Sequence, residues 1–300
     1  MLSSIVNKFN FKRFDWSTRH VLHLPQLNTD PDGKFSVLSM LCKRDLYQYL
    51  VAIRSLFQYA KPKHVIIVND GSLGTPEIAK IINACPSAKI VPIQNYRVEG
   101  LPCGGCWERI VAVSEFSKHE YIVQMDADTL FMSTPVEMID AIAQNRSFAL
   151  PTDSGTVVKT AAECLAFAEK RKGEGVSHIQ IDAEASLGIM GDVQMVKYIR
   201  ACAGFAGYAP GTLTLQKLLE VSTKYHALFG DRWYDWGTEQ FASNYILAND
   251  DSVFVLPIAK YDSVDKFKAE LVFVHFIGCF RFDKGIYVNS AQRLINLWKI

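Results

Sequence analysis

The sequence lacks any apolar run long enough for a membrane-crossing helix, which needs ~18 residues or more. Its best candidate, Leu271–Phe280, is short and interrupted by His275. The opening stretch Met1–Asn10 places Lys8 after a short apolar segment, which is not the order of a secretory leader. An excess of charge of one sign is also missing. Lys and Arg number 32 against 31 Asp and Glu, for a net charge of +1. Such a balance gives no broad attraction to nucleic acid or to an anionic membrane, although a local basic patch stays open. The seven cysteines are odd in number (Cys42, Cys85, Cys103, Cys106, Cys164, Cys202 and Cys279), and five are scattered singly. They read as reduced thiols rather than a disulfide framework. The expectation is a cytoplasmic chain, with peripheral attachment to a membrane left open. Internal repeats, low-complexity tracts and Pro- or Ser-rich linkers are absent too. A single domain over 1–300 is therefore expected, with 1–34 as an N-terminal extension. A 49% share of hydrophobic residues against 21% charged ones is enough for a sizeable core and excludes the composition of a disordered chain.

What is present is an alternation of short β-branched runs with helical patterns. Phe35–Leu41 reads as a strand, and Arg44–Ala60 sets Leu46, Leu50, Ile53 and Phe57 on one helical face. His64–Val68, Lys89–Ile93 and Tyr121–Met125 read as strands, with helices over Ile78–Ala84 and Gly105–Phe116. This order predicts an α/β fold, a three-layer α/β/α sandwich around a mainly parallel sheet. Ligands of such sheets gather at the carboxyl ends of the strands, where Asp70, Asp126 and Asp128 all fall. The second half is less regular. Helices are expected over Lys159–Arg171, Leu213–Phe229, Glu239–Ala248 and Ala291–Lys299. Strand-like runs fall at Val253–Leu256 and Leu271–Phe276, with glycine turns at Gly188–Gly191 and Gly204–Gly211.

The run Tyr121-Ile-Val-Gln-Met-Asp126-Ala-Asp128-Thr-Leu-Phe131 ends an apolar strand in two carboxylates one residue apart. Ionised carboxylates at the end of a core strand are costly unless paired or bound to a cation. Oxygen ligands suit Mg²⁺ or Mn²⁺, ions that also bind diphosphate oxygens. The structural alternative is a turn in which one Asp caps a helix and the other is solvated. Ile66-Ile-Val-Asn-Asp70-Gly-Ser72 is a second strand ending in polar turn residues, where Asp70 is either a ligand or a turn former. His275, in Phe273-Val-His-Phe-Ile-Gly278, is either a satisfied core residue or a late metal ligand.

Together these residues resemble GT-A glycosyltransferases. Asp126-Ala-Asp128 is similar to their Asp-x-Asp motif, and the Asp70 segment to their nucleotide-binding strand end. His275-Phe-Ile-Gly278 is similar to the late histidine segment of glycogenin-like and related galactosyltransferases. The resemblance implies a metal site of Asp126, Asp128 and His275 holding Mn²⁺ or Mg²⁺. It gives Asp70 a nucleoside contact, Asp126 a share in the diphosphate site, and Lys284 a diphosphate contact. The Lys-Pro-Trp ending of that group is absent here, since Lys284 leads into Gly285-Ile-Tyr287. Cys202–Tyr208 resembles the stretch that brings backbone, at Gly204, close to the donor sugar; its alternative is an ordinary glycine turn. Trp236-Gly-Thr-Glu239-Gln240 resembles an acidic segment beside the acceptor, where Glu239 either serves as general base or only faces a helix N-terminus.

The implied activity is transfer of a sugar from a nucleotide-diphosphate sugar, with a UDP-sugar leading, to an unknown glycan, lipid or protein acceptor. Nucleic acid is not an expected partner. A sugar nucleotidyltransferase would open with a Gly-rich phosphate loop, and Phe35–Asp45 contains no glycine. A silent nucleotide-sugar binder would be expected to lose a metal carboxylate, and both are present. A Rossmann dehydrogenase would carry G-x-G-x-x-G after its first strand. Cys103-Gly-Gly-Cys106 lacks the second pair of a zinc site and reads as turn or buried thiols. Trp233, Tyr234 and Trp236 either stack on sugar or pack in the core.

Overall fold

Short, fully apolar strands are stable only where both faces are covered, and β-branched residues fill such positions well. The computed structural model describes residues 2–299. Met1, Ile300 and the side chains of residues 2–7 and Cys279 lie outside that description. In chain order the elements are α1 (Leu2–Thr18), β1 (Ser36–Leu41), α2 (Leu46–Phe57), β2 (Val65–Asn69), α3 (Thr75–Ala84), β3 (Lys89–Pro92), α4 (Trp107–Phe116) and β4 (Ile122–Met125). They continue as β5 (Thr129–Phe131), α5 (Val136–Ala143), β6 (Phe148–Pro151), β7 (Lys159–Thr160), α6 (Ala161–Gly173), α7 (Ile179–Ala185), β8 (Lys197–Tyr198) and β9 (Ala201–Tyr208). The last are α8 (Leu215–Phe229), α9 (Thr238–Ala248), β10 (Phe254–Val255), β11 (Tyr261–Ser263), β12 (Phe273–His275) and α10 (Ile286–Leu297). The chain is mixed α/β with a mostly parallel central sheet: β1 pairs with β2, β2 with β3, and β6 with β10 in parallel, whereas β9 runs antiparallel to β6.

Two compact units divide the chain, and both are discontinuous. The first comprises Met1–Pro92, Met125–Ile139 and Ala259–Ile300; the second comprises Ile93–Gln124 and Asp140–Ile258. Two of the crossings fall inside elements, at Gln124/Met125 in β4 and Ile139/Asp140 in α5, so no linker composition marks them.

In the first unit, the β1–β2 register pairs Val37 with Val65 and Leu41 with Asn69. A separate small sheet orders β11-β12-β5, with β12 antiparallel to β5. Helix α2 is buried along almost its whole length, and its Ser55 Oγ accepts the Phe131 amide at 3.0 Å. Helix α1 packs against the C-terminal part of the first unit. In α1 Phe14 is fully buried against Tyr287 at 4.4 Å, and Phe11 meets Phe282 edge-on at 5.0 Å. The second unit packs an aromatic core in which Trp233 lies 6.0 Å from Trp107 and 5.1 Å from Tyr225. Gly204–Tyr208 is not a turn but part of β9. Gly207 is needed there for close packing, because a Cβ would run into the Phe148 ring and the Tyr121 hydroxyl. The turn follows at Gly211, with φ +79°.

Candidate metal and donor site

Strand β4 is buried throughout and delivers Asp126 and Asp128 at its end, in the first unit. The Thr129 hydroxyl donates to the Asp126 carbonyl at 3.0 Å, tightening the step between β4 and β5. Strand β12 then supplies the third residue. Its antiparallel register sets His275 opposite Thr129, and the Phe276 amide donates to the Asp128 carbonyl at 2.8 Å. Phe276 is held in turn by a stack on Tyr287, with ring centroids 4.0 Å apart. His275 Nε2 thereby lies 3.3 Å from Asp128 Oδ1 and 3.9 Å from Asp126 Oδ2.

One ligand atom from each of Asp126, Asp128 and His275 lies within 4.8 Å of the others. Ligands at ~2.0–2.2 Å from one ion stand ~3–4.4 Å apart, so small side-chain adjustments bring all three onto a single divalent cation. Two carboxylates and one imidazole form a donor set suited to such an ion. Burial matches that reading: Asp128 and His275 are buried, and the half-buried Asp126 leaves an opening.

A guanidinium also contacts the cluster. Arg281 donates through Nη2 to Asp128 Oδ2, and through Nη1 to Asp45 Oδ1 at 3.3 Å and Gln48 Oε1 at 3.1 Å. Its Nε donates to the Phe276 carbonyl at 3.2 Å. Burial pushes the Asp128 carboxyl up, but His275 and Arg281 outweigh burial and hold it below the usual carboxylate range. Sequence reasoning missed Arg281, Asp45 and Gln48. The one available signal was Gln48, a polar residue amid the apolar run Leu46–Ile53 and fully buried in the structure. Lys284 is exposed in a left-handed turn at φ +53°, three residues beyond Arg281.

Asp70 is exposed just past β2. Its Oδ1 accepts from the Ser72 amide at 2.9 Å and the Ser72 hydroxyl at 2.6 Å, while Asn69 Oδ1 accepts from the Gly71 amide at 2.9 Å. The turn-forming role is therefore present, and the exposed position is open to a ligand as well. In the second unit, Gly204 is buried within β9. Glu239 is buried near the start of α9 and accepts from Arg109 Nη2 at 2.7 Å. Neighbouring bonds fix α9: Trp107 Nε1 donates to Thr238 Oγ1 at 3.0 Å, and Gln240 Oε1 accepts from the Ala203 amide at 3.2 Å. Cys103 and Cys106 are not joined in a disulfide, and the Cys103 thiol donates to Glu108 Oε1 at 3.3 Å. Of the three aromatics, Trp233 is core, whereas Tyr234 and Trp236 are exposed.

Among the described residues no helix is long and apolar enough to cross a membrane. No family model matches the sequence, and no curated protein matches it. Solved structures do match the fold. The apo form of mouse xyloside xylosyltransferase 1 aligns over 82% of this chain and 98% of its own, at TM-score 0.48 and 11% identity. The galactosyltransferase LgtC, complexed with donor and acceptor sugar analogs, aligns over 88% and 95% at TM-score 0.45 and 9% identity. The apo structure of the bifunctional glycosyltransferase WbbM reaches TM-score 0.54 at 12% identity, covering 90% of this chain and 51% of that one. The chain thus spans about half the length of WbbM. At such identities the likeness is one of fold alone, shared with WbbM.

Proposed function

We propose that this chain is a metal-dependent glycosyltransferase, taking a sugar from a nucleotide-diphosphate sugar, with UDP as the leading nucleotide. The observation that carries the reading is the convergence of Asp126, Asp128 and His275 at the end of a buried strand in a GT-A fold. Those three side chains would hold Mn²⁺ or Mg²⁺. Such an ion, when bound, offsets diphosphate charge and favours departure of the nucleotide. The chain's own residues do the rest. Asp128 and His275, both buried, orient their ligand atoms before the ion arrives. Arg281 holds Asp128 in the ionised form and brings a fixed positive charge to the place where diphosphate charge develops. Asp70 is assigned the nucleoside and Lys284 the diphosphate. Gly204 is assigned the donor sugar. Glu239 is assigned the acceptor side as general base; the alternative is a non-catalytic role at the start of α9, where it pairs with Arg109. The acceptor is a glycan, lipid or protein.

The test is a panel of nucleotide sugars followed by thermal shift and by donor hydrolysis, each with Mn²⁺ and with chelator. One donor should raise Tm with Mn²⁺ and lose that effect with chelator. Equal shifts in both conditions, or none for any donor, would refute the assignment.

A further inference from the structure

Helix α1 buries one face and exposes the other. Its inner face sets Phe11 against Phe282 and Phe14 against Tyr287, and Thr18 turns its hydroxyl back to the Phe14 carbonyl at 2.8 Å. The outer face carries Phe9, Lys12, Arg13 and Trp16 at helical spacing, with Lys8 beside them and Arg19 and His20 one turn on, all exposed. Phe9 and Trp16 are 65% and 68% exposed, a poor use of two large aromatics in water. The first 23 residues hold four Lys or Arg and one acid, Asp15, in a chain that is otherwise nearly neutral. Asp15 is half-buried, so no carboxylate stands among the exposed positions of the helix.

The neighbouring chain end extends this chemistry. Leu297, at the end of α10, is 57% exposed, and Lys299 follows it. The Lys299 charge lies near enough to hold His20 below its ordinary pKa. Arg19 places its guanidinium 4.5 Å from the Trp16 ring centre, keeping cation and aromatic together on one face.

We propose that the outer face of α1 is a docking surface for an anionic lipid bilayer, with the helix lying in the plane of the interface. Trp and Phe suit the boundary between headgroups and acyl chains, and the cations suit acidic headgroups. A nucleic acid would use the same cations and leave Phe9 in water. The inference stands on α1 and α10 alone and is independent of the donor-site reading.

The full chain should co-sediment with phosphatidylcholine–phosphatidylglycerol vesicles and not with phosphatidylcholine alone. Each surface cation contributes about 5-fold to partition. Lys12→Glu with Arg13→Glu should therefore lower binding by at least ~10-fold, and Phe9→Ser with Trp16→Ser should lower it with all cations retained. Far-UV circular dichroism and Tm establish that the variants are folded. A readout on the unaltered surface charges avoids dependence on those variants. Brominated acyl chains should quench tryptophan emission in wild type and in Trp236→Phe, and that quenching should largely vanish in Trp16→Phe. Equal partition of wild type to both vesicles, retention on duplex RNA without retention on vesicles, or quenching unchanged in Trp16→Phe would overturn the proposal.

Discussion

Asp128 in the first unit and Glu239 in the second are similarly buried, with side chains 8% and 5% exposed, yet their charges are compensated differently. Glu239 pairs with the Arg109 guanidinium at 2.7 Å, both side chains being buried. Asp128 belongs to a cluster in which three carboxylates (Asp45, Asp126, Asp128) share two guanidiniums, Arg44 and Arg281. That cluster also brings together three ligand atoms, one each from Asp126, Asp128 and His275. A balanced buried pair costs more to break than it gains by forming, and so holds the architecture in place. Convergent ligands at the end of a strand are what a cation would complete. Burial alone does not separate the two cases; the convergence of ligand atoms does.

Breaking this contrast should give its largest effect at Asp128. Asp128→Asn should lower metal-dependent transfer by about 1,000-fold, the loss of a Lewis acid worth several kcal/mol, while Tm stays within a few degrees. Steady-state rates and calorimetry on the same preparation check both halves. In the second unit the order should reverse. Arg109→Met leaves Glu239 buried without its counter-charge and should cost about 3–5 kcal/mol of stability, measured by urea unfolding, with Mn²⁺ affinity unchanged. Gly207→Ala comes next. Its new methyl meets two aromatic side chains, and a cost of about 1–3 kcal/mol is expected in the same assay.

The smallest effect sharpens the comparison with a third carboxyl, in which burial outweighs the nearby Lys80. Asp15 Oδ1 is buried without a hydrogen-bond partner, and burial followed by the nearby Asp45 pushes its carboxyl from 3.8 to about 6. Because the folded-state pKa is raised, the folded chain holds this proton more tightly than the unfolded one. That contribution is full below 3.8 and is lost as pH rises through about 6. Asp15→Asn should therefore raise Tm at pH values above that window relative to wild type, and leave it nearly unchanged below. A lower Tm for the variant above the window would contradict the assignment.

How much of this was legible in the sequence follows from how local each cause is. Strands β1 to β4 were readable because β-branched runs end in turn residues, and Asp126 and Asp128 because two carboxylates close an apolar run. His275 stood out as a polar residue in an apolar strand, but its neighbours depend on the antiparallel register of β12 on β5, which no local pattern encodes. Arg281 was hidden for the same reason: its partners Asp45 and Gln48 lie at the other end of the chain. Helix α1 escaped because its outer face carries Phe9 and Trp16, which blurs the apolar periodicity of the inner one. In β9 the glycines read as turn chemistry, whereas Gly207 is there for close packing. The division into two units left no trace because the chain crosses between them within β4 and α5.

The central claim is that Asp126, Asp128 and His275 bind one divalent ion. Electron paramagnetic resonance titration with Mn²⁺, on wild type and on Asp126→Asn with Asp128→Asn, reads this without any donor or acceptor. The account predicts one bound ion per chain in wild type and none at the same Mn²⁺ concentration in the double variant. Equal binding by the two proteins, or no bound ion in either, would contradict it.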